Sequence, residues 1–72
     1  MSPLPEDHPV HVARKAKGMR LQDLAKLIGK SASMLSNVER GFVPKPVTRQ
    51  RIAEALDSTV AELWPDEYSE ML

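Results

Sequence analysis

Apolar residues recur in the centre of the chain with the spacing of an amphipathic helix. Leu21, Leu24, Ala25 and Ile28 occupy positions i, i+3, i+4 and i+7, and Gly29 follows them directly. Glycine readily adopts the left-handed conformation in which many helices end, so this pattern predicts a helix that stops at Gly29. We expect such a short helix to depend on packing against the rest of the chain.

A second helix is predicted immediately after this one. Ser31 suits its N-cap, Leu35 and Val38 lie three residues apart on its apolar face, and Gly41 marks its end. The small side chain of Ala25 would let the two helices approach closely across a tight turn, at about a right angle. The two segments are therefore predicted to form a helix-turn-helix.

Flanking helices are predicted on both sides of this pair. The first begins near His8–Pro9 and runs to Lys17, before Gly18. A fourth begins at Pro46 and ends near Asp57–Ser58, and a capping box of Thr59 and Glu62 begins a short fifth helix that Pro65 ends. Their inward-facing residues are expected to include Ile52, Ala53, Leu56, Val60, Leu63 and Trp64. No segment alternates long enough to form a strand, so we expect an all-α bundle of four or five helices.

Charge is segregated along the chain although the formal net charge is zero. All ten Lys and Arg residues lie between Arg14 and Arg51, with only Asp23 and Glu39 among them, so this stretch carries +8. Residues 1–13 carry −2 and residues 52–72 carry −6. A polyanion meets the local patch rather than the total charge, so the central stretch suits a nucleic-acid partner. Ordinary solvated helix faces are the alternative.

The 72-residue length is that of one domain, which we place at residues 8–65. Residues 1–7 contain Pro3 and Pro5 and are expected to form a flexible arm. Residues 66–72 are expected to form an acidic tail that stays off DNA or engages a partner. The chain has no cysteine and no apolar run near the ~20 residues of a membrane span. We expect a cytoplasmic protein that does not bind membranes and has no effector domain.

No catalytic or metal-binding constellation stands out. His8 and His11 lie three residues apart without a third ligand, so ordinary surface histidines are the better interpretation. The sequence GKS at residues 29–31 lacks the upstream glycine of a P-loop and follows a helix, which favours a turn and an N-cap. We therefore expect neither an enzyme nor a bound metal or cofactor.

Four segments occur in a distinctive order: GMRLQDLAKLIG, SASMLSNVERG, a loop with proline, and RIAEALDSTVAELWP. Together they cover about Val10 to Trp64 and resemble the XRE-type helix-turn-helix family of phage repressors and Cro. The ending IAEAL…LWPDEY is also similar to that of small Ner-type phage regulators. The resemblance implies a helix-turn-helix motif at residues 21–40 whose second helix, the third of the chain, enters the major groove, usually in a dimer.

The resemblance also implies which side chains contact bases. Ala32, Ser33 and Asn37 correspond to positions that touch base edges, and Met34 lies on the same face. Asn37 is the best discriminator because an amide both donates to and accepts from adenine, whereas Ala32 or Met34 suits a thymine methyl. For Met34, a partly buried gap-filler is the alternative.

Contacts to the DNA backbone are expected from residues around the turn and after the third helix. These are Arg20, Gln22, Lys30, Ser31, Arg40 and Lys45. A solvated charge is the alternative for each basic residue taken alone, and an N-cap is the simpler role for Ser31. Arg14 and Glu39 correspond to a structural ion pair that ties the first helix to the end of the third.

The chain departs from the family pattern at three positions. Arg20 stands where the family usually has a Ser or Thr N-cap, and Leu21 where it usually has a phosphate-binding Gln. Lys30 replaces a usually apolar turn residue. Leu21 has no polar group with which to contact a phosphate, so Arg20 or Gln22 must make that contact instead.

Apolar residues in the loop after the third helix and near the end of the domain are candidates for a symmetric dimer interface. They are Phe42, Val43, Pro44, Leu63 and Trp64. For Trp64, closure of the monomer core is the alternative. An isologous dimer would present two third helices about 34 Å apart, one turn of DNA.

These observations favour a sequence-specific regulator of transcription that binds double-stranded operator DNA as a homodimer at the nucleoid. It would repress where its site overlaps a promoter, and would touch RNA polymerase if it activates. One alternative is a protein-interaction module, such as the DNA-binding antitoxin of a toxin pair or a bridging coactivator. Another is an architectural or recombination-directionality factor that bends DNA.

Overall fold

A computed structural model describes residues 8–65, which fold as five α-helices without a β-strand, as the sequence predicted. The predicted arm (1–7) and acidic tail (66–72) lie outside the described residues. The helices are α1 (Pro9–Ala16), α2 (Leu21–Ile28), α3 (Ala32–Glu39), α4 (Pro46–Ala55) and α5 (Val60–Leu63).

Two of the helices, α3 and α5, begin at the predicted capping residues. Ser31 Oγ accepts from the backbone N–H of Met34 at 3.1 Å, which caps α3. Thr59 Oγ1 accepts from the N–H of Glu62 at 3.1 Å, and the Glu62 carboxylate accepts from the N–H of Thr59 at 3.2 Å. This reciprocal pair is the predicted capping box of α5. It explains how a four-residue helix persists.

Left-handed residues end three of the helices in the same way, and the first is Gly18, with φ +69° after α1. Gly29 has φ +70°, and the N–H groups of Gly29 and Lys30 donate to last-turn carbonyls of α2 at 3.3 and 3.0 Å. Asp57 takes the equivalent place after α4 with φ +54°, which is unusual for a residue with a Cβ. Its carboxylate lies 2.7 Å from Lys17 Nζ, just beyond α1. That helix ends at Ala16, one residue earlier than expected.

The core lies between all five helices. α2 packs against α3 and α4, and α1 packs against α3 and α5. Trp64 follows α5 rather than belonging to it, and its ring packs edge-on against His8 at a centroid distance of 6.3 Å. Thr48 and Arg49 of α4 are also buried, which the sequence did not predict. The buried apolar residues are Val10, Leu24, Ala25, Ile28, Leu35, Val38, Ile52, Ala53, Leu56, Leu63 and Trp64.

Candidate nucleic-acid interface

α3 presents a polar stripe to solvent. Ser33 and Asn37 are exposed at positions i and i+4, and Arg40, also exposed, continues the row at i+7 as the C-cap. Leu35 and Val38 are fully buried on the opposite face and fix the helix to the core. The Asn37 amide and the Arg40 guanidinium therefore share one face of α3 with the Ser33 hydroxyl, and all three were predicted as DNA contacts.

Other predicted base contacts are less available. Ala32 and Met34 are half-buried and pack against the hydrophobic core, so each offers solvent only part of its surface. For Met34 this agrees with the alternative role as a gap-filler. Half-buried Ser36 flanks the stripe and was not predicted as a contact. Ser31 is exposed, and its oxygen serves as the N-cap described above.

The start of α2 is open and cationic. No side chain caps this helix, because a guanidinium has no acceptor to offer at the N-cap position of Arg20. Asp23 instead accepts from the Arg20 backbone N–H at 3.0 Å and from its Nε at 3.3 Å, and these hydrogen bonds lower the pKa of Asp23. The Arg20 side chain is 73% exposed, and Gln22 is exposed beside it. A concavity of about 360 Å³ at this helix start is lined partly by Lys15, Arg20 and Gln22.

The remaining backbone-contact candidates lie at the inter-helix turn and before α4. Lys30 follows Gly29 and is exposed, and Lys45 is the exposed N-cap residue of α4, which also lacks a side-chain cap. Arg49, one turn into α4, was missed by the sequence analysis. It is 8% exposed, and its buried Nε has no hydrogen-bond partner among residues 8–65. A buried N–H without an acceptor costs stability, so this Nε is a donor that the described fold leaves unsatisfied.

The predicted Arg14–Glu39 pair is present and ties α1 to the end of α3. Arg14 Nε donates to Glu39 Oε2 at 2.8 Å and its Nη2 donates to Oε1 at 3.2 Å. Arg14 Nη1 also donates to the Met19 carbonyl at 2.8 Å, and both charged residues are only 7% exposed. His11 Nδ1 lies 2.9 Å from Glu39 Oε1, which makes it an unforeseen third member. This cluster orients the C-terminal end of α3, next to Arg40.

The pKa of Glu39 reflects this environment. Burial by itself raises the pKa of the carboxyl, but hydrogen bonds from Arg14 and His11, together with the charge of Arg14, outweigh burial. The net pKa therefore lies below its ordinary value, and Glu39 is ionised at neutral pH.

The residues predicted for the dimer interface divide into two groups. Phe42 and Val43 are 56% and 37% exposed in the loop after α3. Pro44 is buried, and Leu63 and Trp64 are only 2% and 4% exposed. These three side chains help to close the monomer and have almost no surface left for a partner. The alternative considered for Trp64 is thus the correct one, and the interface prediction was wrong for Pro44, Leu63 and Trp64.

Residues 8–65 show neither a metal-binding cluster nor a membrane-spanning helix. This segment contains no group of three His, Cys, Asp or Glu side chains placed to hold a metal ion. None of its helices combines the length and apolar character needed to cross a membrane.

A comparison with protein families identifies the fold. The model of a family described as helix-turn-helix matches residues 11–63, well over half of the chain. No curated protein and no solved structure matches the chain significantly. The likeness of the C-terminal ending to Ner-type regulators extends beyond the match and stays a prediction. The matched family consists of DNA-binding regulators of transcription and is not a family of enzymes. The chain therefore belongs to the XRE-type helix-turn-helix family, to which Cro-like DNA-binding proteins also belong.

Proposed function

We propose that this protein represses transcription by binding a specific DNA operator as a homodimer, with α3 in the major groove. The observation that carries the proposal is the exposed stripe of Ser33, Asn37 and Arg40 on a helix anchored to the core. A single helix fits the major groove, where each base pair presents its own pattern of donors and acceptors. Occupation of an operator that overlaps a promoter blocks polymerase.

Asn37 is the principal base reader in this proposal. Its exposed amide donates and accepts at once, which matches N6 and N7 of adenine. Ser33, one turn earlier, offers a less selective hydroxyl. The exposed parts of Ala32 and Met34 suit a thymine methyl, as an apolar contact beside the polar stripe.

Backbone phosphates are held on both flanks of α3. At the uncapped start of α2, the free backbone N–H groups attract an anion. Arg20 and Gln22 make the phosphate contact that the apolar side chain of Leu21 cannot make. Lys30 lies at the turn, with the Ser31 hydroxyl available to donate. The remaining contacts come from the residues after α3 and around the start of α4, namely Arg40, Lys45 and Arg49.

The dimer forms through the exposed loop residues Phe42 and Val43. Both are apolar and solvent-accessible, and they follow α3 directly, so a two-fold axis near them sets the separation of the two α3 helices. A separation of about 34 Å places the helices in successive major grooves on one side of the duplex. The protein acts in the cytoplasm, on nucleoid DNA.

Selection of binding sites from a random duplex library at near-physiological salt tests the proposal. A two-fold symmetric consensus with half-sites about one helical turn apart is expected. Recovery of no consensus, with binding governed by salt alone, would overturn it and favour a protein partner such as a toxin. Enrichment of several tandem sites with induced bending would instead indicate an architectural factor.

Three variants separate base reading from phosphate binding once a site is known. Asn37→Ala is expected to remove preference at one base pair, by about 1–3 kcal/mol. Arg40→Ala is expected to weaken binding to all sequences alike and to reduce the salt slope by about one unit. Arg51→Ala is the matched control, since Arg51 is also an exposed arginine but lines a groove with Leu27 and Ile28 of α2 and is not among the proposed contacts, so it should change neither quantity. Equal losses on specific and random DNA for Asn37→Ala would contradict its role.

A further inference from the structure

α1 carries a second apolar stripe, of which only Ala13 also packs against the core. Its members occupy positions i, i+3, i+4 and i+7 and are Pro9, Val12, Ala13 and Ala16. Together with Leu63 of α5 as its floor, this stripe lines a shallow groove of about 450 Å³. Val12 is 55% exposed there, whereas Val10, on the core side of the same helix, is fully buried. The outer part of the stripe, with Val12 and Ala16, stays exposed and is not used by the monomer core.

The two long edges of this groove carry opposite charges. α5 runs antiparallel to α1, because Asp57 pairs with Lys17 at one end and Trp64 packs on His8 at the other. Glu62 therefore stands on the α5 edge, with its carboxylate held by the Ser58 hydroxyl at 2.9 Å. Lys15 is exposed on the opposite side of the stripe, one turn from Val12.

We infer that this groove is a self-association surface that receives α1 of a second copy of the chain. A two-fold axis parallel to the stripe lays the two helices side by side, with Val12 against its counterpart. The same axis brings the Lys15 edge of each copy over the Glu62 edge of the other, along both long sides of the contact. The small side chains of Ala13 and Ala16 permit close approach of the helices.

The size of the face sets the strength of the contact. α1 has eight residues and is therefore about 12 Å long, so the buried area falls below the ~800 Å² per partner of a stable complex. The contact is weak between free copies in solution and forms to a greater extent where two copies are held close together. On DNA, and only if the proposed operator binding is correct, it would join neighbouring dimers, because tethering gives effective concentrations of about millimolar.

Concentration-dependent NMR of the ¹⁵N-labelled protein without DNA tests the surface independently of the proposed function. Between about 20 μM and about 2 mM, the amide shifts of residues 10–16 and 60–63 are expected to move together. Val12→Gln is expected to weaken the association about tenfold or more, and Lys15→Glu to weaken it by placing like charges opposite Glu62. Leu27→Gln is the matched control, because Leu27 is a 64% exposed apolar residue on α2, and should leave the shifts unchanged.

Each possible outcome either supports or overturns the proposed self-association surface. Loss of the shifts in Val12→Gln, with circular dichroism unchanged from the wild type, supports the surface. Shifts confined to Phe42 and Val43, no concentration dependence, or equal effects of Val12→Gln and Leu27→Gln would each overturn it. None of these results bears on whether the protein binds DNA, which the site selection tests separately.

Discussion

Removal of Glu39 is predicted to be among the most destabilising single changes in this protein. Glu39→Ala leaves the guanidinium of Arg14 7% exposed and without its two carboxylate hydrogen bonds, at 2.8 and 3.2 Å. Breaking a buried pair by deleting one partner costs about 3–5 kcal/mol, since an uncompensated charge stays behind. For a chain of this length the total stability is roughly 4–11 kcal/mol, so the variant should be close to unfolding.

Urea and thermal unfolding provide the assay. Trp64, the only tryptophan, is 4% exposed and reports on core opening by fluorescence. At about 4–8 °C per kcal/mol for a domain of this size, a loss of about 3 kcal/mol lowers Tm by roughly 12 °C or more. The double variant Arg14→Met/Glu39→Leu removes both charges and should recover most of the stability, because apolar replacement of a buried pair is often neutral.

Two results would refute this reasoning. The first is a decrease in the free energy of unfolding below about 1 kcal/mol for Glu39→Ala. An exposed ion pair contributes no more than this, so the result would mean that solvent screens the contact. A double variant as unstable as the sum of the two single variants would show that the residues act independently rather than as a pair.

Three further predictions concern a titration, a turn and a buried cation. His8 Nδ1 accepts from the Val10 N–H at 3.0 Å and caps α1, and burial lowers the pKa of His8 below 6.5 despite the opposing charge of Glu39. As the pH falls, the unfolded chain therefore binds a proton at His8 before the folded chain does, and the free energy of unfolding decreases. His8→Asn should reduce the difference in stability between urea unfolding curves at about pH 7.5 and about pH 5.5. Gly29→Ala should lower stability by about 1–2 kcal/mol in thermal unfolding, from backbone strain at φ +70° alone, since no atom lies within 4 Å of an added Cβ. Arg49→Met should raise the free energy of unfolding and weaken DNA binding, and unchanged binding would remove Arg49 from the interface.

Much of the fold follows from local signals that a sequence displays directly. Ser31 and Thr59 begin helices because their side-chain oxygens reach backbone N–H groups three residues on, and Gly29 ends one because it alone tolerates φ +70° without strain. The exposed face of α3, with Ser33 and Asn37, follows from the spacing of the buried Leu35 and Val38. These features depend on neighbours within one or two turns, so no tertiary information was needed to place them.

Contacts between distant parts of the chain were decided by tertiary packing. An apolar side chain serves equally well in a core or at an interface, so the sequence alone did not show that Leu63 and Trp64 close the monomer while Phe42 stays exposed. His11 joins Glu39 across 28 residues of sequence, and Arg49 is buried in the folded chain although no local pattern indicated it. The sequence thus determined the helices and their capping, because those interactions are local. The tertiary structure decided which faces are buried in the core and which stay exposed, because burial depends on how all five helices pack together.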